Sequence, residues 1–210
     1  MGTSTAAVAQ ASLPRYSLPM SAKARCHWVP AGDPEYIRYH DEEWGRAAHD
    51  DRLLFEMLIL EGAQAGLSWS TILRKRAGYR KAFANFDPRK VARFDRRRQT
   101  KLLENPGIVR NRLKIASTIT NAVSFLKIQD EFGSFDRYLW GFVDGRPVIN
   151  RPSGPEAVPT RSQLSDRISK DLKKRGFRFV GTTIVYAFLQ AVGVVNDHSR
   201  TCFLAPRSPR

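Results

Sequence analysis

Apolar positions along the chain recur at helical rather than strand spacing. Leu53, Leu54, Phe55, Met57, Leu58, Ile59 and Leu60 form the densest cluster, interrupted only by Glu56. Asp50 and Asp51 stand where an N-cap is needed. The pattern predicts a helix that is apolar on most sides and therefore central and buried. Gly62 and Gly66 are expected to bracket a short loop. A second helix starting near Ser68 places Trp69, Ile72, Leu73, Arg76, Tyr79 or Arg80, and Phe83 at helical spacing, and Pro88 follows its end. Residues 89–104 read as one basic helix or two short ones, and Asn105-Pro106-Gly107 as a turn. Ile115, Ile119, Ala122, Val123 and Leu126 give another stripe. Ser134 is placed to cap a short helix with Phe135, Tyr138, Leu139 and Phe142. Residues 143–160 hold Pro147, Pro152, Pro155 and Pro159 and read as a loop. Leu164, Ile168 and Leu172 recur every four residues behind Ser162, a further cap, and a last helix covers 182–192. Alternating patterns are scarce and no internal repeat is visible, so the fold class expected is all-α.

Charge changes this picture. The 210 residues carry 35 Lys and Arg against 20 Asp and Glu, a formal net charge of +15. A polyanion is the expected partner, nucleic acid before an anionic membrane surface. The charge is uneven. Residues 33–61 are acidic, whereas 89–101 and 161–178 each contain seven bases. Any single basic run is most simply a solvated helix face; two in one chain favour phosphate contact. No apolar run is long enough for a membrane helix. Two cysteines cannot build a disulfide framework, so a reducing compartment is expected. Residues 1–25 contain no acid and three bases, Arg15, Lys23 and Arg25. They read as a disordered extension, with organelle targeting left open. Residues 26–204 are expected to form one domain and 205–210 a flexible tail.

Four features carry chemistry. In Lys173-Lys174-Arg175-Gly176-Phe177-Arg178-Phe179-Val180-Gly181-Thr182-Thr183, a tight turn with two glycines joins two helices. Such a helix-hairpin-helix presents the N–H groups of its second helix to an anion such as a DNA phosphate. Thr182 and Thr183 could add hydroxyl donors; the plain alternative is an antiparallel helix pair with a glycine cap. Next, Cys26 and His40 enclose thirteen residues, and His198 and Cys202 enclose three, one helical turn apart. Two Cys and two His make a closed tetrahedral zinc set. His27 and His49 compete as ligands, and two unrelated buried cysteines are the alternative. Third, Glu61 ends the apolar run just before Trp69. A carboxylate there must find a donor or shift its pKa upward, unless it simply faces solvent at a helix end. Fourth, Trp28, Tyr36, Tyr39, Trp44 and Trp69 could wall a slot for a nucleobase, or could be core.

Several long motifs in order now narrow the choice: Cys26-His27-Trp28-Val29, Asp33 through Gly45, Leu54-Phe55-Glu56-Met57, Leu60 through Trp69, Gly107 through Arg112, Lys173 through Thr183, and Val195-Asn196-Asp197-His198. Together they resemble the 3-methyladenine DNA glycosylase I family of the helix-hairpin-helix superfamily, from about Cys26 to Cys202. The resemblance implies a monofunctional enzyme that flips 3-methyladenine out of alkylated double-stranded DNA, hydrolyses its N-glycosidic bond and leaves an abasic site. It implies one structural Zn2+ held by Cys26, His40, His198 and Cys202, joining the N- and C-terminal segments. It places the pocket glutamate at Glu61, the hydrogen-bonding tyrosine at Tyr39, the stacking tryptophan at Trp69 and further walls at Tyr36 and Trp28. Leu67 is expected to plug the space left by the flipped base, and Gly176, Gly181, Thr182 and Thr183 to meet the DNA backbone. Ala63 departs from the pattern, which has a glutamine there. A cytoplasmic monomer is expected, nucleoid-associated if the source is bacterial. A silent lesion-binding module and an RNA-binding protein are the rivals, and Glu61 beside Trp69 disfavours both.

Overall fold

All but one of the helices described start where a short polar side chain caps them. In the computed structural model, which describes residues 23–206, these are α1 (Pro34–Glu42), α2 (Asp51–Gln64), α3 (Trp69–Ala82), α4 (Pro88–Val91), α5 (Arg96–Glu104), α6 (Arg112–Phe132), α7 (Phe135–Gly141), α8 (Gln163–Lys174) and α9 (Thr182–Ala191). Asp33, Asp50, Ser68, Asp87, Asp95, Asn111, Ser134 and Ser162 accept a first-turn N–H of the helix that follows them. Each such cap stabilises its helix by about 1 kcal/mol. Ser162 and Ser165 complete a reciprocal capping box at α8. Helix α9 starts differently, at Gly181, with no side-chain cap.

Helix α2 is the axis of the core. Every residue from Leu54 to Ala63 is buried, and α3, α6, α7 and α9 pack around it. Its buried stretch includes two acidic residues, Glu61 and Glu56, of which Glu56 is ion-paired. Arg76 of α3 donates its Nε to Glu56 Oε1 at 2.5 Å and its Nη1 to both carboxylate oxygens of Glu43 at 2.9 and 2.7 Å. Arg80 adds bonds to Glu56 at 3.0 and 3.1 Å. Pairing offsets the cost of burying these charges, although Arg76 Nη2 is left buried without a partner. The network locks α1, α2 and α3 in one register.

Two expectations are corrected. Gly62 does not bound a loop; it lies inside α2, which continues to Gln64. A Cβ on Gly62 would meet the Cβ and carbonyl of Phe179 at 3.2 and 3.3 Å, so the glycine serves close packing. The all-α expectation omits a two-residue parallel pair, β1 (Val148–Ile149) with β2 (Val195–Asn196), which lies partly in the expected loop. The basic segment takes the second of its two expected forms, the short helices α4 and α5. The expectations for residues 1–25 and 205–210 fall largely outside the described residues. Ala24 and Arg25 are bonded to the domain: Phe203 N–H donates to Ala24 O at 2.8 Å and Arg25 pairs with Asp41.

Candidate functional site

Helix α1 turns two aromatic rings and one imidazole into the interior. Tyr36, Tyr39 and His40 follow three- and four-residue spacing, which places them on one side of the helix. The C-terminal turn of α2 brings up Glu61, and the capped start of α3 brings up Trp69 across a four-residue loop. Together with Trp28 they enclose a cavity of about 210 Å³. Tyr39 packs on Trp69 with ring centroids 5.3 Å apart, and Trp28 on Tyr36 at 5.7 Å. The far wall comes from Pro152, Gly154 and Val158 of the proline-rich loop and from Gln190, Asp197 and Ser199.

The electrostatics are set by dryness. Glu61 is 4% exposed, and its Oε2 is buried with no partner. Desolvation pushes its carboxyl up to about 8. Trp69 Nε1 is likewise buried without an acceptor. Burial, and then the Glu61 charge, raises the Tyr39 phenol well above its usual value; Tyr36 is raised by the same two causes, together with Asp33. Unpaired buried donors and acceptors cost about 1–3 kcal/mol each. Both residues line the same slot, and aromatic walls beside a buried carboxyl and an indole suit a flat ligand with donor and acceptor edges.

Leu67 projects from the α2–α3 loop with 41% exposure. The loop is held from below by Lys114, whose Nζ donates to Ala63 O and Ala65 O, both at 2.7 Å. In the hairpin between α8 and α9, Gly176 has φ +92°. Gly181 has φ −60° and a Cβ there would meet nothing within 4 Å, so neither conformation nor packing within the chain requires a glycine at that position. The left-handed residue near it is Phe179, at φ +55°. Asn121 holds this turn by accepting from Arg178 N at 2.8 Å and donating to Arg178 O at 2.9 Å. Thr182 is not a free donor, because its hydroxyl bonds Asp166 at 2.5 Å and Ser165 at 2.9 Å. Thr183 is exposed. Uncapped N–H groups at the start of α9 therefore remain available to an anion.

Behind the aromatic wall lie Cys26, His40 and Cys202, whose ligand atoms are within 4.8 Å of one another. His40 Nε2 is 3.5 Å from Cys202 Sγ, and its Nδ1 meets Asp41 at 2.8 Å. Arg25 grips Asp41 with two bonds of 2.8 and 2.7 Å, which holds that carboxyl down to about 2. His198 stands beside the cluster, its ring centroid 5.2 Å from that of His40. Its Nδ1 meets Asn196 Oδ1 at 2.9 Å, while Nε2 is buried with no partner. The structure brings three of the four expected ligands together and leaves His198 outside that cluster, with its orphaned Nε2 near the His40 ring; two thiols and an imidazole are a donor set suited to zinc. Burial pushes the Cys26 thiol up to about 11 and the His198 imidazole down to about 4. His198 and Cys202 lie on an irregular turn and not on a helix, which corrects the helical reading of their spacing. The rival His27 is exposed, and His49 pairs with Asp136 and stacks on Trp140.

Sequence reasoning missed the far wall. Tyr186 and Gln190 are polar groups four residues apart on the otherwise apolar α9, and both donate to Asp197 Oδ2, at 2.7 and 2.6 Å. That pairing was the available signal. It also missed Lys114, which a contact-free string does not connect to residues 63–65.

The fold and site define a helix-hairpin-helix protein with an aromatic slot open on one side and a buried carboxyl beside it. Residues 28–205 match the methyladenine glycosylase family, and the chain belongs to that family. It is 47% identical over 182 residues to DNA-3-methyladenine glycosylase 1 of Escherichia coli (strain K12), covering 87% of this chain and 97% of the relative. It is 43% identical to DNA-3-methyladenine glycosylase of Haemophilus influenzae, covering 85% and 96%. A crystal structure of 3-methyladenine DNA glycosylase I superposes with a TM-score of 0.85 at 50% identity, covering 87% of this chain and all of that one. A Staphylococcus aureus enzyme solved to explain 3-methyladenine recognition gives 0.82 at 38% identity, covering 85% and 95%.

Proposed function

We propose that this chain is a DNA repair glycosylase that hydrolyses the N-glycosidic bond of 3-methyladenine in alkylated duplex DNA. The observation that carries this is the pair of unpartnered buried atoms, Glu61 Oε2 and Trp69 Nε1, in one aromatic cavity. The family and the names of its relatives support the same conclusion.

Methylation at N3 makes the base cationic and a good leaving group. Flipped into the slot, it stacks on Trp69 and is read on its edge by Tyr39 and Glu61, with Tyr36 and Trp28 as walls. The entering cation favours the ionised form of Glu61, whose charge also faces the oxocarbenium-like sugar. The C1′–N bond breaks with its electron pair going to the base, water adds to C1′, and the water proton is released. No lysine lines the cavity among the described residues, in keeping with an abasic site as the product. Leu67 fills the vacated space in the duplex. Gly176, Gly181 and the first N–H groups of α9, at Thr182 and Thr183, meet the phosphate backbone.

Cys26, His40, His198 and Cys202 would hold one zinc ion, whose contribution is structural: it joins the segment before α1 to the segment after β2. No helix of the described residues is long and apolar enough to cross a membrane. A monomer acting on DNA in the cytoplasm completes the proposal. The test is incubation with methylated duplex DNA and chromatography of the bases released. Release of 3-methyladenine is expected; binding without release would leave only a lesion-binding module.

A further inference from the structure

Asp197 lines the slot but is only 2% exposed. Its side-chain partners are three neutral donors. Asn150 Nδ2 donates to Oδ1 at 2.7 Å, and the Tyr186 hydroxyl and Gln190 Nε2 donate to Oδ2 at 2.7 and 2.6 Å. A carboxylate only accepts, so the Gln190 amide lies one way, nitrogen toward Asp197. Its oxygen, Oε1, has no partner among the described residues. Gln190 and Ala187, three residues apart on α9, both line the slot, so this side of the helix is turned to it. A fixed acceptor thus stands on the wall that Glu61, Tyr39 and Trp69 do not supply.

A free glutamine amide can turn over and offer a ligand either a donor or an acceptor. One held by Asp197 offers the acceptor alone. Adenine carries an amino group at C6, where guanine carries a keto oxygen. We propose that Gln190 is a specificity-determining residue, whose Oε1 accepts from the exocyclic amino group of the flipped base, and that Asp197 is the positioning residue that holds it so. 3-Methylguanine in DNA is also a cation and also a good leaving group, so charge and stacking separate the two bases poorly. Its C6 oxygen would meet Gln190 Oε1 with no proton between them. A site built to hydrogen-bond one group rejects the analogue that lacks it. The inference rests on the proposed glycosylase function and deepens it, by naming how the slot tells adenine from guanine.

The test compares wild type with Gln190→Leu and Asp197→Asn on duplex DNA treated with a methylating agent, which carries both bases. Chromatography of the released bases gives both rates in one reaction. Wild type should release 3-methyladenine faster than 3-methylguanine, per lesion. Gln190→Leu should lower that preference roughly tenfold, by slowing 3-methyladenine while 3-methylguanine holds. Asp197→Asn should lower it too, by freeing the Gln190 amide to turn and donate to the guanine oxygen. A merely structural loss slows both bases alike and leaves their ratio in place. Zinc content is measured for each variant, because Asp197 precedes His198; if Asp197→Asn loses metal or fold, Gln190→Leu decides alone. A wild type without the preference, or a wild-type ratio in Gln190→Leu, would overturn the assignment. Quenching of tryptophan fluorescence by free 3-methyladenine and free 3-methylguanine gives the same comparison without bond cleavage. If wild type releases no base, the proposed function fails, and the role of Gln190 is still decided.

Discussion

Glu61 and Trp69 each leave one polar atom buried and unpartnered in the same cavity, Oε2 of the one and Nε1 of the other. They sit eight residues apart on two helices, and only the loop carrying Leu67 separates them. Glu61→Gln keeps the shape and one acceptor and removes the charge. A hydrogen bond to a charged group is worth about 1.5–3 kcal/mol, so single-turnover release of 3-methyladenine should slow by roughly one to two decades. Affinity for undamaged DNA should be nearly unchanged. Excision by Glu61→Gln at the wild-type rate would refute the assignment.

The same carboxyl makes stability depend on pH in a known direction. Its folded value is about 8, above the usual 4.5. Between those values the folded protein keeps a proton that the unfolded chain has lost. This contribution is therefore fully present below about 4.5 and is lost as pH rises through 8. Urea midpoints of wild type, minus those of Glu61→Gln, should fall between pH 5 and pH 8. A flat difference would place Glu61 in contact with solvent.

Elemental analysis should find about one zinc per chain, because two thiolates and two imidazoles fill its four positions. Cys202→Ser and His198→Ala should each lower metal content and Tm together, since forming the site is coupled to folding. A folded, active preparation without metal would end the zinc proposal.

The basic hairpin splits into two kinds of residue. Lys173 and Lys174 are exposed, whereas Arg175 bonds Glu131 and Asp171, both at 2.6 Å, and covers the rings of Phe132 and Tyr138. Lys173→Ala and Lys174→Ala should each flatten the log–log salt dependence of DNA binding by up to about one unit. Arg175→Ala should leave that slope in place and lower stability by about 1 kcal/mol or less. The reverse pattern in binding titrations from low to high salt would mean the hairpin meets DNA through another face.

Gly78 of α3 touches the loop before α6 so closely that a Cβ would lie 2.2 Å from Gly107 O. Neither backbone can yield easily. Gly78→Ala should destabilise by about 1–3 kcal/mol or more, as overpacking does, measured by chemical denaturation.

The helices were legible because their signals are local. Asp50, Ser134 and Ser162 are caps that need only the next three residues, and all three act as read. The apolar run around Leu58 announced a buried axis, and α2 is one. What failed was tertiary. Gly62 looked like a break because its reason, the approach of Phe179, lies more than a hundred residues away. The pair of β1 and β2 is too short to leave a periodic trace. Glu56 and Arg76 were visible as oddities in apolar stripes, yet nothing local showed that they meet. Of the cavity, the near wall was readable from aromatic density and the family resemblance. The far wall, Gln190 and Asp197 with the proline-rich loop, depends on a return of the chain that no spacing records.

That return sets the order in which the protein can become competent. Trp28 and Tyr36 are made early, while Asp197, Ser199 and Cys202 are made last, after all nine helices described. The N-terminal wall of the slot and the cysteine beside it wait unpaired until the closing segment leaves the ribosome. A nascent chain can thus present its hairpin to DNA before it has a finished slot for a base, and base-releasing ability should arrive abruptly, with the emergence of residues 195–203.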